Sequence, residues 1–166
     1  MTLNQIQSRF RTIADQLGSR RSLPTTPQDD GIAHAEHLFD NYFFVRTERG
    51  AEFERRVTKV PDELLSWFVR DLTSEIASNW ELTHRMPGED SRRLYFKKHV
   101  ELLRSINESW ADLQQDYYDT VLTRSPFDDT SGDRVDYFLE LQQQGVENQN
   151  AWQRALMKFP KNREAT

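Results

Sequence analysis

The stretch Pro61–Trp80 constrains the chain more than any other. Apolar residues stand at Leu64, Phe68, Leu72, Ile76 and Trp80, a four-residue repeat that draws an apolar stripe along a helix. Leu65, Trp67, Val69 and Ala77 widen that stripe, so the helix must be covered on more than one side. Pro61 presets φ for a first turn, and Asp62 and Glu63 favour the positive helix end. The spacing predicts a central helix on which the other elements pack.

A chain of 166 residues supports one ordinary core, and a single domain over residues 1–166 is expected. Charged residues make up 30% and hydrophobic residues 36%, yet 4 Trp, 5 Tyr and 10 Phe supply bulk that a disordered chain lacks. Cysteine is absent, which excludes disulfides and thiolate metal sites and fits a reducing compartment. No basic segment leads into an apolar run at the N-terminus, and no run approaches the ~18 apolar residues that span a bilayer. A cytoplasmic protein without membrane association is the expectation.

Leu3, Ile6, Phe10, Ile13, Ala14 and Leu17 fall at helical spacing, with Gly18 as the stop. Residues 19–30 hold two prolines and no periodicity and read as a surface loop. Between residues 33 and 58 aromatic and β-branched residues alternate with turn formers. Tyr42–Thr47 and Glu52–Thr58 read as a hairpin with Gly50 in its turn, and Ala33–Leu38 adds a third strand through a turn at Asp40 and Asn41. Pro87 and Gly88 break the chain, after which Asp90 caps a helix carrying Leu94, Tyr95, Phe96, Val100, Leu102, Leu103 and Ile106. Asn107 caps another, with Trp110, Leu113, Tyr117 and Val121 as its apolar stripe. Asp133–Gln144 follows, carrying Val135, Phe138, Leu139 and Leu141, with Gly145 as stop. A last helix, Asn148–Phe159, buries Trp152, Ala155, Leu156 and Phe159, and Lys161–Thr166 is a frayed tail. The fold class is α+β, mostly helical, with a small antiparallel sheet near residues 33–58.

The net charge of -5 is unevenly distributed. Residues 107–147 hold ten acids against Arg124 and Arg134, a local balance of -8. Glu108, Asp112, Asp116 and Asp119 lie 4, 4 and 3 apart and share one helix face, about opposite the expected apolar stripe. Asp129, Asp133, Asp136 and Glu140 repeat the pattern at 4, 3 and 4. Neighbouring like charges at this spacing repel by ~0.2–0.5 kcal/mol per pair, and no base stands three or four residues from most of them. Such rows are either a solvated face or a docking face for a basic partner, whose approach they would steer.

Residues 85–104 lean the other way, with Arg85, Arg92, Arg93, Lys97, Lys98 and Arg104, but a net-acidic chain without a nucleic-acid-binding motif argues against direct binding of DNA or RNA. Arg92 and Arg93 are expected to pair with Glu75, Glu81 or Asp90. In a strand, His34 and Glu36 share a face while His37 points away, so this cluster is a poor metal site. The carboxylate rows lack the Glu-x-x-His pairs of di-iron bundles. No phosphate-binding glycine loop or nucleophile elbow is present, so neither catalysis nor a cofactor is expected.

At the hairpin and the helices after it, the sequence resembles immunity protein family sixty-three of bacterial polymorphic toxin systems. The matching residues are Tyr42-Phe43-Phe44-Val45, Glu48-Arg49-Gly50, Thr58, Asp62-Glu63-Leu64-Leu65-Ser66-Trp67, Trp80-Glu81-Leu82, His84-Arg85, Asp90-Ser91-Arg92-Arg93-Leu94-Tyr95-Phe96, Glu101-Leu102-Leu103, Asn107 and Trp110. They cover residues 42–122, and Ser66 stands where an aromatic is expected. The resemblance implies a small cytoplasmic protein that binds and neutralises the C-terminal toxin domain of a polymorphic or contact-dependent growth inhibition system, without catalysis of its own. Such toxins include nucleases, whose basic surfaces an acidic face would complement. The candidate toxin-binding residues are therefore Glu108, Asp112, Asp116, Asp119, Asp129, Asp133, Asp136 and Glu140. Glu48, Arg49, Gly50, Glu81, Arg85, Asp90, Arg92 and Arg93 are read as family-motif scaffold, explained by ion pairs and caps. The alternative is a non-catalytic adaptor or structural subunit that binds through an apolar groove.

Overall fold

The computed structural model describes residues 1–161; the tail expected from Lys161 onward therefore lies, apart from Lys161, outside the described residues. The order of elements is α1 (Leu3–Gln16), β1 (Asp30–Leu38), β2 (Asn41–Glu48), β3 (Ala51–Thr58), α2 (Pro61–His84), α3 (Arg92–Arg104), α4 (Glu108–Arg124), α5 (Ser131–Gln143) and α6 (Asn148–Lys158). The fold is α+β and mostly helical, with a three-stranded antiparallel sheet in the order β1-β2-β3. Its contacts group into two compact units: residues 1–76 with 102–110, and residues 77–101 with the described residues from 111 onward.

In the first unit, α1 begins with a capping box in which Thr2 and Gln5 satisfy each other's free N–H groups. It buries Ile6, Phe10 and Ala14. The stripe on α2 does what its spacing predicts: Leu64, Leu65, Phe68, Val69 and Leu72 are all buried. Phe44 of β2 meets Phe68 at 4.8 Å and the edge of Trp67 at 6.2 Å, and Phe10 meets Phe68 at 6.4 Å. Each such fully buried side chain contributes about 1.5–3 kcal/mol. Ser66, in place of an aromatic, turns its hydroxyl back to donate to the Glu63 carbonyl at 2.7 Å.

The two faces of the sheet differ. Ala33, Ala35, Tyr42, Phe44, Arg46 and Arg56 share the side facing α2, where Arg46 pairs with Asp71. His34, Glu36, Leu38, Phe43, Val45, Arg55 and Val57 share the other. The β2–β3 turn is Arg49-Gly50, with φ of 53° and 75°, matching the two-residue hairpin turn whose central residues both need positive φ. The β1–β2 turn is Phe39-Asp40, one residue earlier than its sequence suggests, because Leu38 pairs with Asn41. On the free side of β1, the Ala35 N–H donates to the Pro24 carbonyl at 2.8 Å, so the proline-bearing loop caps that edge.

In the second unit, Tyr118 of α4 is the hub. It stacks on Phe96 at 3.7 Å and lies 2.6 Å from His99 Nδ1 through its hydroxyl. Trp80 stacks on His84 at 4.2 Å, with the Lys98 ammonium 5.3 Å from the indole. α5 packs on α6, where Phe138 meets Trp152 edge-on at 5.6 Å. On α6, Ala151 and Ala155 are buried, whereas Trp152, Leu156 and Phe159 are only half-buried.

Candidate functional site

Asn107 starts α4 by accepting the Trp110 N–H at 3.2 Å. The residues buried along this helix are Ala111, Gln114 and Tyr118, not the expected stripe of Trp110, Leu113, Tyr117 and Val121. Leu113 and Tyr117 are 60% and 61% exposed, and Trp110 and Val121 are half-buried. The stripe is displaced by one residue because Ala111 offers no bulk and Gln114 joins a buried polar group with Tyr118. At about 100° per residue, Glu108, Asp112, Asp116 and Asp119 gather on one arc. Leu113 and Tyr117 occupy the next, and the buried residues lie beyond. All four carboxylates are exposed.

On α5, Asp133, Asp136 and Glu140 form a second exposed ridge. Val135 and Leu139, expected in the core, are exposed beside it; Arg134 and Leu141 take the buried positions. Among the described residues, Glu108, Asp116, Asp119, Asp133, Asp136 and Glu140 form no ion pair; Asp119 accepts only the Gln115 amide, at 2.8 Å.

Asp129 departs from its expected place. It precedes the first residue of α5 and is bound to Arg93, with Nε at 2.8 Å from one carboxylate oxygen and Nη2 at 2.9 Å from the other. The sequence pattern missed this because Arg93 lies 36 residues away. Asp129 is thus matched within the fold, and the second ridge consists of three carboxylates.

The Arg93–Asp129 pair belongs to a continuous internal network. Asp90 accepts the Arg92 N–H at 3.0 Å, Arg92 Nη2 at 2.6 Å and the Asp128 N–H at 2.8 Å. Arg92 also donates to the Ser125 and Pro126 carbonyls. Arg134, buried, pairs with Asp128 at 2.7 Å and donates to the Phe159 carbonyl at 2.6 Å. Burial opposes ionisation of Asp90, but the Arg92 side chain and the two N–H donors outweigh it and lower its pKa. Arg134 holds the Asp128 carboxyl below its usual range. Arg93 and the Asp90 N–H bring Asp129 down to about 2.

The other motif residues also have partners in their own neighbourhood. Glu81 is buried and takes two hydrogen bonds from Arg85, at 2.7 and 3.0 Å. Glu75 pairs with Arg21, so neither acid meets Arg92 or Arg93. Glu48 and Arg49 approach only to 3.8 Å at an exposed turn, a contact worth little. His34 bonds to Glu36 while His37 stacks on Tyr42 at 4.4 Å on the other face, as the alternation of a strand requires. Two exposed aromatics, Phe39 and Phe53, drew no attention from the sequence. The only signal for Phe39 was its position directly before the turn formers Asp40 and Asn41.

The family described as Immunity protein 63 matches residues 39–120, and over those residues the chain is similar to it. The match runs from the β1–β2 turn into α4 and so includes the first acidic ridge but not the second. That likeness supports an immunity role with a cognate toxin as partner. No curated protein and no solved structure matches the chain.

Proposed function

We propose that the chain is a non-catalytic immunity protein that binds and neutralises the C-terminal toxin domain of a polymorphic toxin in the cytoplasm. The family match carries the immunity role. The exposed carboxylates of α4 and α5 support a docking face for a basic toxin, a nuclease being the type whose phosphate-binding cleft such a face would occupy. Glu108, Asp112, Asp116, Asp119, Asp133, Asp136 and Glu140 are the candidates, and Asp129 is left to its partner Arg93. Leu113 and Tyr117, exposed beside the first ridge, favour a partner that also offers apolar surface.

The test is co-purification with the protein encoded beside this chain, followed by charge reversal at Asp116, Asp119, Asp133 and Asp136. A toxin-binding acidic face requires that Asp116→Lys with Asp136→Lys weaken binding at least ten-fold at low salt. Unchanged affinity would reject the face and leave the immunity role standing. Failure of the parent chain to bind the adjacent product would count against the immunity role itself.

A further inference from the structure

We infer that the free edge of β3 pairs with β3 of a second copy of this chain, joining two three-stranded sheets into one of six strands, independently of any toxin. The two edges of the sheet differ. At β1 the Pro24 carbonyl takes the Ala35 N–H at 2.8 Å. At β3, among the described residues, no backbone group from 51 to 58 bonds to any backbone but that of β2. The strand is eight residues long and only Thr58 is buried. An open edge of that length is a template for another strand.

Edges are ordinarily guarded by proline, by lysine or by charges that project past the strand. β3 holds no proline or lysine, and its four charged side chains lean back over the sheet. Arg55 reaches across β2 to Glu36 of β1 at 3.0 Å, with its guanidinium 5.1 Å from the Phe43 ring. Glu52 is held by Arg55 at 2.7 Å, and Glu54 accepts from Arg46 of β2 at 2.8 Å. Arg56 lies 5.1 Å over the Phe44 ring and 5.8 Å over that of Trp67. The edge from Glu54 to Val57 is therefore clear of them. A bulge leaves Phe53 without a partner on β2, but regular pairing resumes at Glu54.

The strand's own sequence selects the occupant. Residues directly opposite in a continuous sheet stand on the same face, which allows three antiparallel registers about the middle of β3. Centring on Glu54 sets that acid against its twin, and centring on Arg56 sets base against base. Centring on Arg55 places Glu54 opposite Arg56 twice and Phe53 opposite Val57 twice. Phe53 and Val57 are 59% and 58% exposed in the single chain, and both kinds of pair favour strand association. Arg55 then meets Arg55, but each is already answered by Glu36 and Glu52. The run Phe53-Glu54-Arg55-Arg56-Val57 thus complements itself in reverse. Two acids balanced by two bases on β3 offer no comparable attraction to nucleic acid or anionic lipid.

A pairing this short covers less than a standard interface, so the dimer should be weak and concentration dependent. Sedimentation velocity on the full chain, from low micromolar to near-millimolar concentration, is expected to show a monomer–dimer equilibrium. Val57→Lys should weaken it at least ten-fold while keeping the circular dichroism spectrum and melting temperature of the parent. Because the chain has no cysteine, Arg55→Cys supplies a thiol that meets its twin within disulfide reach in this register. Ala51→Cys places its thiols roughly 25–30 Å apart in the same register. Mild oxidation should therefore link the Arg55→Cys chains at least ten-fold faster than the Ala51→Cys chains. A parent that stays monomeric, a dimer that Val57→Lys leaves unchanged, or equal cross-linking at the two positions would overturn the pairing. Protection of the β3 amides from hydrogen exchange that arises only when the adjacent gene product is added would overturn the choice of occupant and give the edge to the toxin.

Discussion

Phe39 shows how a single position departs from its own best conformation. Holding a non-glycine residue in the left-handed region costs about 1–2 kcal/mol, so Phe39→Gly is expected to raise unfolding free energy by ~1 kcal/mol once the greater freedom of glycine in the unfolded chain is allowed for. Urea denaturation measures it. Thr47 is a second such position: its hydroxyl is buried without a hydrogen-bond partner among the described residues. An unsatisfied buried polar group costs about 1–3 kcal/mol, and Thr47→Val keeps the β-branched shape while removing that group. The variant should therefore gain about 1 kcal/mol in the same experiment. Neither feature was legible in the sequence. Threonine in a strand is ordinary, and its lack of a partner depends on which atoms surround it; the strain at Phe39 follows from the pairing of Leu38 with Asn41, which fixes a two-residue turn.

Among the elements, the loop between α4 and α5 depends most on charge. Asp90, Asp128 and Asp129 all titrate below their usual range in the fold. A carboxylate with a depressed folded pKa stabilises fully above its unfolded value, about 3.9 for Asp, and loses that contribution as pH falls through the folded value. For Asp129 that value is about 2, so thermal stability should fall between roughly pH 4 and pH 2. Asp129→Asn should flatten the fall by removing one proton-linked group. Asp90→Ala leaves the Asp128 N–H without its acceptor and frees Arg92, and should cost about 2–3 kcal/mol. The network was only half legible: Asp90 and Arg92 are two residues apart, whereas Arg93 meets Asp129 through the fold. Helix limits followed their caps and stops closely, with α1, α3, α4 and α5 each beginning within two residues of expectation. The buried face of α4 did not, because counting apolar residues favours Leu113 and Tyr117 over Ala111 and Gln114. A small residue and a satisfied amide can line a tight contact as well as a large hydrocarbon.

For the whole molecule, the -5 charge at neutral pH makes encounter with a basic partner depend on ionic strength. Raising salt from about 0.01 to 0.15 M shortens the Debye length from about 30 to 8 Å, so stopped-flow association with the toxin should slow by an order of magnitude or more while dissociation changes little. Carboxylates at helical spacing were plain in the sequence, whereas the exposed apolar residues of β3 became visible only once the strands were registered. Hydrophobic residues in a strand look the same whether they point at a core or at water until the partner strand is known. The stack of Trp80 on His84 at the end of α2 has a spectroscopic use. With Trp67, Trp110 and Trp152 replaced by Phe, the remaining indole would report by its fluorescence the moment at which this end of the helix frays and the two rings part.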